Sequence, residues 1–269
     1  MTGTLGTARA LALLVAALLG ACAGGPGGVV AEQPSTVLTA SDQTDQERRA
    51  RVRLELATAY FGRGQLETAL DETKLAMQVK PDMAEAFNLR AMIYAAMGEN
   101  RLAEDSFARA LQLSPRDGPT LHNQGWFLCQ QGQFAAAQAR FDMLLALPEY
   151  RDQARSLLAR GVCFGRDGKF AEAEAALMRA YELEPANPSI GLNLAEVLFR
   201  RGAYERASFY IGRINDTPDA TNAQTLWLAA RIERKLGRDA AVRVLGDRLR
   251  QRFFQSPEAA LFERGRFDD

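Results

Sequence analysis

Few residues in this chain are of types that do chemistry. There is one histidine, His122, and there are three cysteines, Cys22, Cys129 and Cys163. A single histidine excludes a zinc site built on several imidazoles and any paired-histidine acid–base mechanism. No Ser, Cys or carboxylate stands near His122 in the sequence at a spacing that suggests a triad. No base accompanies Cys129 or Cys163, as a cysteine nucleophile would require. The residues therefore lead to no catalytic group, no metal ligand set, no cofactor and no small-molecule substrate. The enzymatic alternative is a site using His122 or a free Cys163 with a depressed thiol pKa. Lys and Arg total 33 and Asp and Glu total 33 in 269 residues. A formally neutral chain lacks the basic excess that non-specific nucleic-acid binding needs. With 47% apolar and 25% charged residues, the composition is that of an ordinary globular chain of one or two domains.

Cys22 has a different context. Arg9 precedes an apolar run, LALLVAALL at 11–19, and Gly20-Ala21-Cys22 follows. A positive start, a short apolar stretch and small residues predict an export signal over 1–21. The run is about half of the roughly 20 residues that span a bilayer. Leu19-Gly20-Ala21-Cys22 resembles the bacterial lipobox, which implies that Cys22 carries the lipid and begins the mature chain. Ala23 in place of Asp resembles the sorting signal for the outer membrane. Several acyl chains anchor a protein stably where one is marginal. Residues 22–46 are rich in Gly, Pro, Ser and Thr without apolar period, and predict a flexible tether.

The rest of the chain repeats every 34 residues. Small residues recur at Ala57, Ala91, Gly125, Gly161, Ala195 and Ala229. Twelve positions after each stands Ala69, Ala103, Ala137, Ala173, Ala207 or Ala241. Glycine follows at Gly64, Gly98, Gly132, Gly168 and Gly202, and one place late at Gly237. Prolines close the units at or near Pro81, Pro115, Pro148, Pro185 and Pro218. Two antiparallel helices that cross closely need Gly or Ala at both contact points. Gly permits the turn between them, and Pro stops the second. The period and pattern are those of the tetratricopeptide repeat. Phe87, Ala91, Tyr94, Ala103, Phe107 and Pro115 show it best. The expected fold is all-α, a right-handed superhelical solenoid of six such hairpins over 47–253. A tail over 254–269 follows, with a short helix capped by Ser256. Unit six reads as degenerate, with Arg248 where a small residue is usual.

Such solenoids bind peptides on a concave face lined by the first helix of each unit. The helical stripe there gives Leu54, Thr58 and Phe61 in unit one, Asn88 and Met92 in unit two, and Trp126 in unit three. Leu54, Phe61, Met92 and Trp126 make it partly apolar, which suits an amphipathic helix or an apolar segment. Leu54 and Thr58 occupy positions where a carboxylate clamp would need Lys and Asn. Cys129 and Cys163 fall at nearly equivalent places on neighbouring first helices. The two readings are a disulfide, permitted in an oxidising compartment, and two buried thiols.

A lipobox, a tether, six repeats and cysteines in units three and four resemble the PilW/PilF family of type IV pilus pilotin lipoproteins. The stretches LELATAYFGRGQLETALDETKLAMQVKPDMAEAFNLRAMIYAAMGE and QRFFQSPEAALFERGRF carry the likeness at either end. The resemblance implies a binding module on the periplasmic face of the outer membrane, held by its lipid anchor. Its partner would be the pilus secretin, which it helps to target and multimerise. The implied contact is the groove around Leu54, Phe61, Asn88 and Met92. The alternative is a lipoprotein scaffold for peptidoglycan hydrolases or another secretion system.

Overall fold

The computed structural model describes residues 45–267. The expected signal, Cys22 and the tether as far as residue 44 lie outside the described residues. Thirteen α-helices and no strand occur among the described residues. They are α1 (Asp45–Gly62), α2 (Leu66–Val79), α3 (Ala84–Ala96), α4 (Asn100–Leu113), α5 (Gly118–Gln130), α6 (Phe134–Leu145), α7 (Gln153–Arg166), α8 (Phe170–Leu183), α9 (Pro188–Arg200), α10 (Tyr204–Asn215), α11 (Ala223–Lys235), α12 (Asp239–Arg252) and α13 (Pro257–Glu263). Helix α1 begins at Asp45, inside the expected tether, and the Gln46 side-chain amide donates to the Val79 carbonyl.

Consecutive helices α1 to α12 pair as hairpins, and each hairpin packs on the next. The turn glycines adopt positive φ, from +71° at Gly237 to +80° at Gly98. Only Gly occupies this region without steric penalty. At the first turn Gly64 N–H donates to the Phe61 carbonyl and Gln65 N–H to that of Tyr60, which satisfies the end of α1. Ala57, Ala69, Ala91 and Ala103 are fully buried where their helices cross. At Gly161 a Cβ would lie 2.6 Å from Leu177 Cγ, so the crossing of α7 and α8 excludes even a methyl group. Large side chains such as Phe107, Phe141, Leu177 and Ile211 fill the hairpins around these contacts.

Unit six departs from the sequence reading. Ala230 is fully buried with Leu249, whereas Ala229 packs towards unit five with Ala195, Leu198 and Ala207. Val242, not the half-buried Ala241, stands three residues into α12, as Ala207 does in α10. Leu249 rather than Arg248 takes the buried place near the helix end. Arg248 reaches back to donate to the Asn215 carbonyl at 3.0 Å. Helix α10 is two residues shorter than α8 and the loop after it three residues longer, a net insertion of one that shifts the whole unit, and the late Gly237 is its trace in the sequence.

The two ends of the array differ. At the C-terminal end the Ser256 hydroxyl accepts from Ala259 N–H at 3.1 Å and starts α13. Helix α13 packs on α11 and α12. The Trp227 and Phe267 rings lie 5.2 Å apart, with Phe262 beside both. At the N-terminal end α1 leaves Val52 and Leu56 exposed, at 51% and 42% of their full surface.

Candidate functional site

The first helices of units one to three enclose a cavity of about 300 Å³. Phe61 from α1, Met92, Ala95 and Ala96 from α3, and Trp126 and Phe127 from α5 form its walls. Phe107 of α4 contributes from below, its ring 5.6 Å from that of Phe127. Of the residues expected here, Phe61, Met92 and Trp126 come together. Asn88 does not line the cavity: it is buried, and its carbonyl oxygen accepts from the Asn123 amide at 3.2 Å. Thr58 turns its hydroxyl back onto the Leu54 carbonyl at 2.8 Å. Leu54 packs into the core of units one and two. The stripe did not single out Asn123, Phe127 or Gln130, which sit one position round the helix and also face the cavity. An apolar pocket with amides at its rim accepts large apolar side chains of a docked helix, the rim fixing its register.

Beside this groove Cys129 and Cys163 form a disulfide between α5 and α7, their Cα atoms 5.7 Å apart. Both residues are buried. Their separation of 34 residues is one repeat, so the bond joins like faces of neighbouring first helices. A bonded Cys163 supplies no thiolate.

His122 is not isolated, contrary to the sequence reading. Its Nδ1 shares a 2.8 Å hydrogen bond with the Ser156 hydroxyl, which also bonds the Tyr150 hydroxyl at 2.6 Å. Ser156 lies one repeat away on α7, which is why a search among sequence neighbours misses it. Burial, with Arg155 nearby, holds the imidazole down to about 4. Burial also pushes the Tyr150 hydroxyl up. Both side chains therefore stay neutral at neutral pH. Ser156 is fully buried, so no substrate reaches it, and the three side chains serve as a polar pin between units three and four. Among the described residues no three His, Cys, Asp or Glu side chains group to hold a metal ion.

Two stretches match tetratricopeptide-repeat family patterns, residues 84–117 and residues 166–230. Type IV pilus assembly protein PilF of Pseudomonas aeruginosa PAO1 is 26% identical over 217 residues, covering 81% of this chain and 85% of the relative. The chain carries tetratricopeptide repeats and is homologous to PilF. Among solved structures, PilW, described as a widely conserved type IV pilus biogenesis factor, superposes with a TM-score of 0.73 at 28% identity. The match covers 78% of this chain and 96% of PilW. The Pseudomonas aeruginosa PilF structure superposes with a TM-score of 0.72 at 22% identity, over 82% of this chain and all of the solved chain. The first helices of units one to three each contribute a few side chains to the groove.

Proposed function

We propose that this PilF homologue is an outer-membrane lipoprotein, anchored through Cys22, that binds the type IV pilus secretin and promotes its targeting and multimerisation. The observation that carries this reading is the likeness to two pilus biogenesis proteins along most of the chain. The apolar cavity at Phe61, Met92 and Trp126 supports it, since it offers a groove for an amphipathic segment of a protein partner. An uncharged groove of this kind binds by burying side chains, at about 25 cal/mol per Å² of apolar surface removed from water.

The test is a strain lacking the gene beside a complemented control. Outer membranes are blotted for heat- and detergent-resistant secretin multimers. The expected result is loss of multimers with monomer retained. Normal multimers would transfer the protein to another partner, and a crosslinked pull-down would then ask for peptidoglycan hydrolases. Acyl labelling of wild type against Cys22→Ser tests the anchor separately.

A further inference from the structure

The last turns of the first helices divide the array into two halves. Helices α1, α3 and α5 carry no basic residue there, whereas α7 ends with Arg166, α9 with Arg200 and α11 with Arg234 and Lys235. Arg166, Arg200 and Lys235 hold one repeat position, which Gly62, Ala96 and Gln130 hold in the first three units. Ala96 and Gln130 line the groove cavity, so this position faces the concave side. A cation at a helix C-terminus also stabilises the helix through its dipole. That effect applies to all six helices alike and does not account for a step between units three and four.

A second observation comes from the chain itself. Its C-terminal stretch lies on α11, where Arg231 Nε donates to the Phe267 carbonyl at 3.1 Å and the Arg234 guanidinium stands 5.8 Å from the Phe267 ring centre. Main chain thus already docks at the end of this face. Next to it Asn193, Gln224, Trp227 and Arg231 line a further cavity between α9 and α11, of about 540 Å³. Glu196 is the acidic residue there, and it pairs with Arg200 at 2.9 Å.

From this step in charge we infer that the concave face of units four to six is a second docking surface, distinct from the apolar groove, for an extended acidic segment of a protein partner. Neighbouring packed helices lie roughly 8–10 Å apart. Three residues of extended chain cover about 10 Å. Arg166 and Arg200, one repeat apart, therefore fit carboxylates three residues apart. The inference does not depend on which protein supplies the segment.

The experiment uses the full chain and a fluorescein-labelled peptide of repeated Glu-Ser-Gly, with a Lys-Ser-Gly peptide as control. Fluorescence anisotropy is read at low salt and at about 0.15 M, where the screening length falls to about 8 Å. The expected result is binding of the acidic peptide alone, weakened by salt. Arg166→Glu with Arg200→Glu weakens it about tenfold or more, while Arg101→Glu, a charge reversal on an exposed position of α4 that lines neither surface, changes it less than twofold. Circular dichroism shows the double variant folded, and Arg166→Gln with Arg200→Gln gives a smaller loss in the same direction should the reversed charges disturb the helices. Absence of binding, or binding indifferent to these residues, overturns the assignment. Retention of the chain on phosphatidylglycerol vesicles through the same arginines, with no peptide bound, overturns it too and makes the surface a lipid contact.

Discussion

The tip of the Phe262 ring of α13 sits against Gly246 of α12, so close that a Cβ at residue 246 would stand 2.1 Å from Phe262 Cζ. The glycine is helical and needs no special backbone angle. It is there to admit the ring. This contact seats the capping helix on the last repeat and gives a physical reason for the missing side chain in unit six.

Gly246→Ala is expected to displace α13 and lower stability by about 1–3 kcal/mol, as overpacking does in a filled core. Gly212 in α10 has open space around its Cβ position. Gly212→Ala should instead be neutral or stabilising by up to about 1 kcal/mol. Denaturant midpoints of the two variants check both signs, and equal midpoints would count against this packing.

His122 sets a pH dependence. Its folded pKa of about 4 lies below the unfolded value near 6.5. Below pH 6.5 the unfolded chain therefore binds more protons than the folded one, and stability falls as pH drops from about 6.5 towards 4. The loss from this group is at most about 3 kcal/mol. His122→Gln should flatten that part of the profile, measured as urea midpoint against pH. An unchanged slope would place the imidazole in solvent.

Removing the disulfide should destabilise the array. For a closed loop of 34 residues the chain-entropy estimate is about 3–4 kcal/mol. Cys129→Ser with Cys163→Ser, or reductant on the wild type, should lower the unfolding midpoint equally. A midpoint indifferent to reductant would mean that the thiols are free in solution.

The groove makes a graded prediction. Met92→Glu places a charge in the cavity wall and should weaken partner binding at least tenfold with helicity retained. Thr58→Ala should leave binding within twofold, because its hydroxyl is turned onto its own helix. Binding by purified protein in a pull-down titration distinguishes the two, and parity between them would move the contact elsewhere.

How much of this was legible follows from where each signal sits. The hairpins were readable because Ala57 with Ala69, and Ala91 with Ala103, report a close crossing through residue size alone. The cysteine pairing was open to sequence reasoning because a separation of one repeat brings like faces together. The same arithmetic links His122 to Ser156, but serine is too common for its position to draw notice. The slip in unit six came from a net insertion of one residue, which no helical period records. The groove was half legible: periodicity finds the face, but which of Asn88, Met92 and Phe127 faces outwards depends on a rotation smaller than one residue. The Asn88–Asn123 pair decides that rotation, and it exists only once α3 and α5 are packed.

The unequal ends have a consequence for how the molecule comes apart. A stacked array loses its outer members first, since each is held by one neighbour only. The last unit is shielded by α13, while no described helix lies beyond α1, whose Val52 and Leu56 face solvent. Peeling should start at α1 and α2 and run inwards until it meets the covalent bond from Cys129 to Cys163, where two units must let go at once. Amide exchange would then be fastest in the first hairpin, slower in the second, and would stop short at that rivet, so the groove is the part of the array most able to open for an incoming segment.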